Sequence, residues 1–98
     1  MRIKVEVLGL PALSQALGKR GVELDVPGGT VTVQNIIDHL VQKFGQPIRK
    51  ALYDQQGTLD STVQIALNGK KFIPQNRLDT PLTGGDTLTF MLLMAGGA

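Results

Sequence analysis

The residues with the most distinctive chemistry come last in the sequence: Met91-Leu92-Leu93-Met94-Ala95-Gly96-Gly97-Ala98. An apolar strand pattern runs into two glycines and an alanine, and no charge, capping residue or helical pattern closes it. Gly96 and Gly97 carry no side chain and tolerate almost any backbone angle, so such a tail can thread a channel too narrow for larger residues. What it offers is backbone and a carboxylate, presented to another protein. Frayed termini without a role are common, so the two glycines do not decide the matter alone.

Few other side chains compete with the tail. Cysteine is absent, which removes disulfides, iron–sulfur clusters and thiolate zinc sites together. The single histidine, His39, falls among Asp38, Gln42 and Lys43 on the polar side of a helical pattern. It has no second His or Cys with which to complete a metal site. Gly28-Gly29-Thr30 precedes that helix but lacks a P-loop lysine or a dinucleotide fingerprint, and reads as a turn. Arg49-Lys50 and Lys70-Lys71 read as solvated charges, with docking to an acidic partner as their alternative role. No Ser/His/Asp set or carboxylate pair stands out. The sequence therefore predicts no active site, no metal site and no permanently bound cofactor, and an enzyme is not expected.

Composition narrows the class further. A formal charge of +2, with three phenylalanines and one tyrosine, is too mild and too poor in aromatics for a nucleic-acid binder. At 98 residues, 42% hydrophobic and 18% charged, the chain suits one folded domain. Its opening alternates apolar and charged residues, unlike a signal peptide. Its longest apolar run, Phe90 to Ala95, is far too short to span a bilayer. A cytoplasmic location and no membrane partner are expected.

The elements that position the tail follow from periodicity. Ile3, Val5 and Val7 alternate with Arg2, Lys4 and Glu6, the mark of a half-buried strand. After Gly9 and Pro11, a short helical connection fits Pro11 to Leu17. Val22, Leu24 and Val26 give a second strand, expected to pair antiparallel with the first. Val33, Ile36, Ile37, Leu40, Val41 and Phe44 form one apolar helical stripe, with Thr30 or Thr32 as N-cap and Gly45 as a left-handed C-cap. Pro47 to Tyr53 adds a helical turn or two, and Asp54 to Asp60 is loop. Val63, Ile65 and Leu67 make a third strand. Asn68-Gly69 then favours a type I′ turn into a return strand, Lys70 to Ile73, stopped by Pro74. Thr87 to Met94 is the last strand. In it Leu88, Phe90 and Leu92 point one way, and Thr87, Thr89, Met91 and Leu93 the other.

This order predicts an α+β chain with the ubiquitin-like β-grasp arrangement: a mixed sheet of four to five strands packed on one main helix, the last strand parallel to the first and in mid-sheet. Residues 1–94 form the domain and residues 95–98 a flexible tail. On the face away from the helix, Met91 and Leu93, with Phe72 of the return strand, are expected to form an apolar partner-binding patch.

The segment Leu82-Thr83-Gly84-Gly85-Asp86-Thr87-Leu88-Thr89-Phe90, followed by Ala95-Gly96-Gly97, resembles the end of the MoaD/ThiS family of sulfur carriers. That family includes the molybdopterin synthase small subunit. The Ile3-Lys4-Val5 strand, the Thr32-Val33 entry to the helix and the Leu67-Asn68-Gly69 hairpin extend the resemblance in outline over the chain.

The resemblance implies a carrier that donates sulfur, with molybdopterin biosynthesis as the pathway. A ubiquitin-activating-type partner uses ATP to adenylate the C-terminal glycine, which then becomes a thiocarboxylate; the sulfur acceptor is the molybdopterin synthase large subunit or another protein. Gly97 takes the acyl position, and Gly96 and Ala95 thread the partner's channel. The family usually ends at the second glycine, whereas here Ala98 follows. Removal of Ala98 by a tail-processing protease is expected. Two alternatives are a ubiquitin-like modifier conjugated through Gly97, and a β-grasp interaction domain whose tail is inert.

Overall fold

The computed structural model describes residues 1–92. Strand β1 (Arg2–Leu8) keeps the expected period of two, with Ile3, Val5 and Val7 turned into the core. Helix α1 (Pro11–Leu17) starts on proline, whose missing N–H is no loss in a first turn, and ends at Gly18 with φ 79°. Strand β2 (Gly21–Asp25) then runs antiparallel to β1, Val22 facing Val5 and Leu24 facing Ile3. A Cβ on Gly21 would lie 2.9 Å from the Val5 carbonyl oxygen, so only glycine lets the two backbones approach there.

After the short β3 (Val31–Thr32) comes the main helix, α2 (Val33–Phe44). Thr32 is its N-cap: the Asn35 N–H donates to Thr32 Oγ1 at 3.2 Å, and the Thr32 N–H donates to Asn35 Oδ1 at 2.9 Å. This reciprocal pair satisfies donors that would otherwise be orphaned. Val33, Ile36, Ile37 and Leu40 are buried, with Val41 and Phe44 partly buried beside them. Gly45 takes the positive φ expected of a C-cap, but its ψ of −164° is extended, not left-handed helical. The cause is local: helix α3 (Gln46–Leu52) begins at the next residue, so Gly45 caps both helices.

Strands β4 (Val63–Leu67) and β5 (Lys71–Ile73) are joined through Asn68 and Gly69, whose φ values of 54° and 68° fit a type I′ turn. The Lys70 N–H closes it onto the Leu67 carbonyl at 3.1 Å. Strand pairing, however, resumes at Leu67 opposite Lys71, one residue later than a plain two-residue hairpin would give. Side chains alternate with period two, so this extra residue inverts the faces of β5. Ile73 comes opposite Ile65 in the core, and Phe72 comes opposite Ala66 on the far side.

A 3-10 turn (Gln75–Arg77) leads to β6 (Pro81–Leu82), which pairs antiparallel with β3. At two residues per strand, this second sheet is too short for alternation to announce it. Strand β7 (Thr87–Leu92) closes the main sheet, parallel to β1 and antiparallel to β4, in the order β2-β1-β7-β4-β5. This is the ubiquitin-like β-grasp. Leu88 and Phe90 are fully buried in one cluster with Ile36, Ile37 and Leu40 of α2 and with residues of α1 and α3. Leu92, grouped with them by parity, is instead 39% exposed; its partner in the sheet is Val63, the first residue of β4. The division into a 1–94 domain and a 95–98 tail falls outside the described residues.

A side-chain clip fixes the register of β7. Asn68 Nδ2 donates to Asp86 Oδ1 at 3.0 Å, the Thr87 N–H donates to Asn68 Oδ1 at 2.8 Å, and the Thr83 N–H donates to Asp86 Oδ2 at 2.8 Å. Asn68→Ala removes two of these bonds and places a residue that disfavours positive φ at a turn that needs it. The expected loss is about 1–2 kcal/mol in urea unfolding with an unchanged m-value. A loss below about 0.3 kcal/mol would show that the clip is dispensable.

Candidate docking face and tail root

Beyond the core side of the sheet lies a face that no helix among the described residues covers. Its rows are set by the registers of β1, β7, β4 and β5. Leu8 sits opposite Met91, which sits opposite Gln64; one rung below, Glu6, Thr89, Ala66 and Phe72 line up across four strands. Leu8 is 54% and Phe72 59% exposed, while Met91 is half-buried between its neighbours. Met91 and Phe72, two of the expected patch residues, thus share this face; Leu93, Ala95, Gly96, Gly97 and Ala98 lie outside the described residues.

Leu8 belongs to the face as well, and the signal for it was present in the sequence. The outward positions of β1 read Arg2, Lys4, Glu6 and then Leu8, and those of β7 read Thr87, Thr89 and then Met91. Both parallel strands turn from polar to apolar toward the end where the tail leaves. At the other end the charges pair with one another, Lys4 with Glu6 at 3.3 Å and Arg2 with Glu23 at 3.9 Å. A lone exposed leucine is ordinary; here Leu8 lies beside Met91 at one end of the open face, with Phe72 in the neighbouring row.

The chain root is built close against this row. A Cβ on Gly9 would lie 3.6 Å from Leu92 Cβ, so the ends of β1 and β7 adjoin. The Val7 N–H donates to the Arg20 carbonyl at 2.8 Å, which brings the α1–β2 connection to the same end. On the β4 side, Gln75 Nε2 donates to the Asp60 carbonyl at 3.0 Å. The Asp60 carboxylate accepts from the Thr62 hydroxyl at 2.7 Å and from the Thr62 N–H at 2.9 Å, and these bonds hold its pKa below the usual aspartate value.

The other candidates stay apart. His39 sits half-buried on α2, and Gly28-Gly29 forms the β2–β3 connection. Among the described residues, no cluster of His, Cys, Asp or Glu could hold a metal ion, and no helix is long and apolar enough to cross a membrane.

Comparison with known proteins agrees with this geometry. No curated protein sequence matches the chain. Among solved structures, the small archaeal modifier protein 1 of Haloferax volcanii superposes with a TM-score of 0.77 at 22% identity, covering 95% of this chain and 98% of its own. A putative molybdopterin converting factor subunit 1 from Pyrococcus furiosus gives a TM-score of 0.65 at 20% identity, covering 96% and 99%. The Amycolatopsis orientalis BexX/CysO complex contains a chain that matches with a TM-score of 0.68 at 24% identity, covering 97% and 99%. At these identities the likeness is one of fold. The profile of the ThiS family matches residues 11–97, from the first helix through the second glycine of the tail. With that match on a mixed β-grasp sheet, the chain belongs to the ThiS family of ubiquitin-like sulfur carriers.

Proposed function

We propose that the chain carries sulfur on the carboxylate of Gly97 for molybdopterin-type cofactor synthesis, after a protease has removed Ala98. The observation that carries this reading is the family match, which runs through Gly97 and stops one residue short of Ala98. The chemistry explains why such a carrier needs no acid or base of its own. An α-carboxylate has a pKa of roughly 3.3–3.7, is ionised at neutral pH and is a poor electrophile. When its oxygen attacks the α-phosphorus of ATP, pyrophosphate leaves and an acyl adenylate forms. A hydrosulfide-level nucleophile then attacks the carbonyl carbon; the C–S bond forms, the C–O bond to AMP breaks, and the thiocarboxylate remains.

The ATP and the catalysis belong to a ubiquitin-activating-type partner. What this chain supplies is reach and a docking face. Residues 94–97, extended, would span about 13 Å, and Ala95 and Gly96 leave the channel unobstructed. Leu8, Met91 and Phe72 would hold the body against the partner while the tail enters.

Mass spectrometry of two purified chains tests the reading, one ending at Gly97 and one at Ala98, each incubated with the adenylating enzyme, ATP and sulfide. A gain of about 16 Da on the Gly97 chain, from oxygen replaced by sulfur, is the expected result, with none on the Ala98 chain. Isopeptide-linked adducts on lysines of other proteins would instead identify a modifier, which the likeness to an archaeal modifier protein keeps in view. No change in either chain would leave a β-grasp interaction domain with an inert tail.

A further inference from the structure

Asn68 is the one asparagine of the sequence followed by glycine; Asn35 precedes Ile36 and Asn76 precedes Arg77. With no side chain beside it, a glycine nitrogen is the least shielded backbone nucleophile that an asparagine can have as its neighbour. Gly69 is exposed, and a Cβ built on it would meet nothing within 4 Å. The Lys70 N–H closes the turn, which leaves the Gly69 nitrogen at the open tip. The Asn68 side chain, by contrast, is held across on β7. Its Oδ1 accepts from the Thr87 N–H at 2.8 Å, its Nδ2 donates to Asp86 Oδ1 at 3.0 Å, and its backbone N–H donates to the Thr87 carbonyl at 2.8 Å. The carboxamide therefore stands in for a backbone peptide and extends the β4–β7 ladder beyond Leu67 opposite Leu88. Nδ2 is the atom of this clip that must be a donor, because its partner is a carboxylate.

We infer that Asn68 is a deamidation site and that Asp86 makes it a switch: the clip shields the carboxamide, and loss of the carboxamide breaks the clip. Ring closure needs Cγ over the Gly69 nitrogen, so the bonds to Asp86 and Thr87 must open first. The Gly69 nitrogen, having given its proton to hydroxide, then attacks Asn68 Cγ. A cyclic succinimide forms as the Cγ–Nδ2 bond breaks, and Nδ2 leaves as ammonia with a proton from water. A further water opens the ring, its hydroxyl adding to one carbonyl and its proton going to the nitrogen released. The sum is one amide and one water in, one carboxyl and one ammonia out, with nothing oxidised or reduced. Opening at Cγ leaves aspartate, whose oxygen faces the Asp86 carboxylate where a hydrogen bond of 3.0 Å stood. Carboxylates are ionised at neutral pH, and two anions so close repel where donor and acceptor attracted. Opening at the other carbonyl leaves isoaspartate, which lengthens the backbone by a methylene and destroys the type I′ turn. Either product releases the lead-in of β7, the strand that runs toward the tail. The inference is independent of what the tail carries.

Incubation of the full chain in warm, mildly alkaline buffer, followed by peptide mass mapping, tests the site. The expected result is a gain of about 1 Da, from an amide replaced by a carboxyl, in the peptide holding Asn68, with the peptides of Asn35 and Asn76 unchanged over the same interval. Asp86→Ala removes the partner of Nδ2 and should speed the gain about fivefold, the protection given by one hydrogen bond. Asn68→Asp makes the product directly and should melt about 5–10 °C lower than the unsubstituted chain. Exchanging the pair, Asn68→Asp with Asp86→Asn, again sets a donor against an acceptor and should recover most of that fall. The exchanged pair keeps the switch testable even where Asp86→Ala fails to fold. Deamidation at Asn35 or Asn76 as fast as at Asn68, or a folded Asp86→Ala chain that reacts no faster, would overturn the shielded site. An Asn68→Asp chain that melts with the unsubstituted one, or an exchanged pair that recovers nothing, would overturn the switch.

Discussion

A chain shortened to end at Gly96 is expected to be adenylated at less than about one-hundredth the rate of one ending at Gly97. On the proposed docking through Leu8, Met91 and Phe72, the length of the tail fixes how far its carboxylate reaches. Removing one extended residue withdraws the reacting oxygen by about 3.4 Å. A misplacement of even about 1 Å between reactants costs roughly a hundredfold. In the proposed chemistry no side chain of the carrier takes part, so none can make up the loss. The same reasoning applies in the other direction to Ala98, which overshoots by one residue and brings a methyl group into a channel sized for glycine. Exchange assays on chains ending at residues 96, 97 and 98 check this directly. Equal rates for all three would mean that tail length is not being read.

Phe90→Ala should be the most damaging single substitution in the described core. Phe90 is fully buried, lies opposite Val7 on one side and Ile65 on the other, and is the largest of the fully buried side chains. Truncating a buried phenylalanine costs about 3–5 kcal/mol, counting the transfer of its ring and the cavity left behind. That is a large share of the roughly 5–15 kcal/mol that holds a typical domain together. A fall in melting temperature of about 15–30 °C follows for a domain of this size. Phe72→Ala, by contrast, removes a ring that is 59% exposed, and should shift stability by no more than about 0.5 kcal/mol while weakening docking. Thermal melts of the two variants side by side make the comparison. Similar shifts for both would contradict the assignment of Phe72 to the open face.

These two phenylalanines also show where sequence reasoning succeeds and where it stops. Phe90 could be placed because β7 alternates cleanly between Thr87 and Met91, and α2 because Ile36, Ile37 and Leu40 recur at helical spacing. Asn68-Gly69 announced its own positive φ values. The outward face expected of Phe72 does not follow from the plain Asn68-Gly69 hairpin that was also expected. A plain two-residue hairpin would set it opposite Ile65 in the core, and only the extra residue between the turn and Leu67 opposite Lys71 turns it outward. Composition does not encode such a bulge. The β3–β6 pair was hidden for lack of length, and the exposure of Leu92 shows only once its partner is known to be Val63, where β4 begins. Leu8 could have been read, since it breaks a charged outward series, but that requires comparing β1 with β7 as parallel neighbours.

The most direct test of the central claim is the intact mass of the protein purified from its own cells under mild, non-reducing conditions. A carrier tail predicts a chain that has lost Ala98 and, in a fraction of molecules, has gained about 16 Da as a thiocarboxylate on Gly97. A chain that still ends in Ala98, with no added sulfur even when co-expressed with its adenylating enzyme, would contradict the carrier reading.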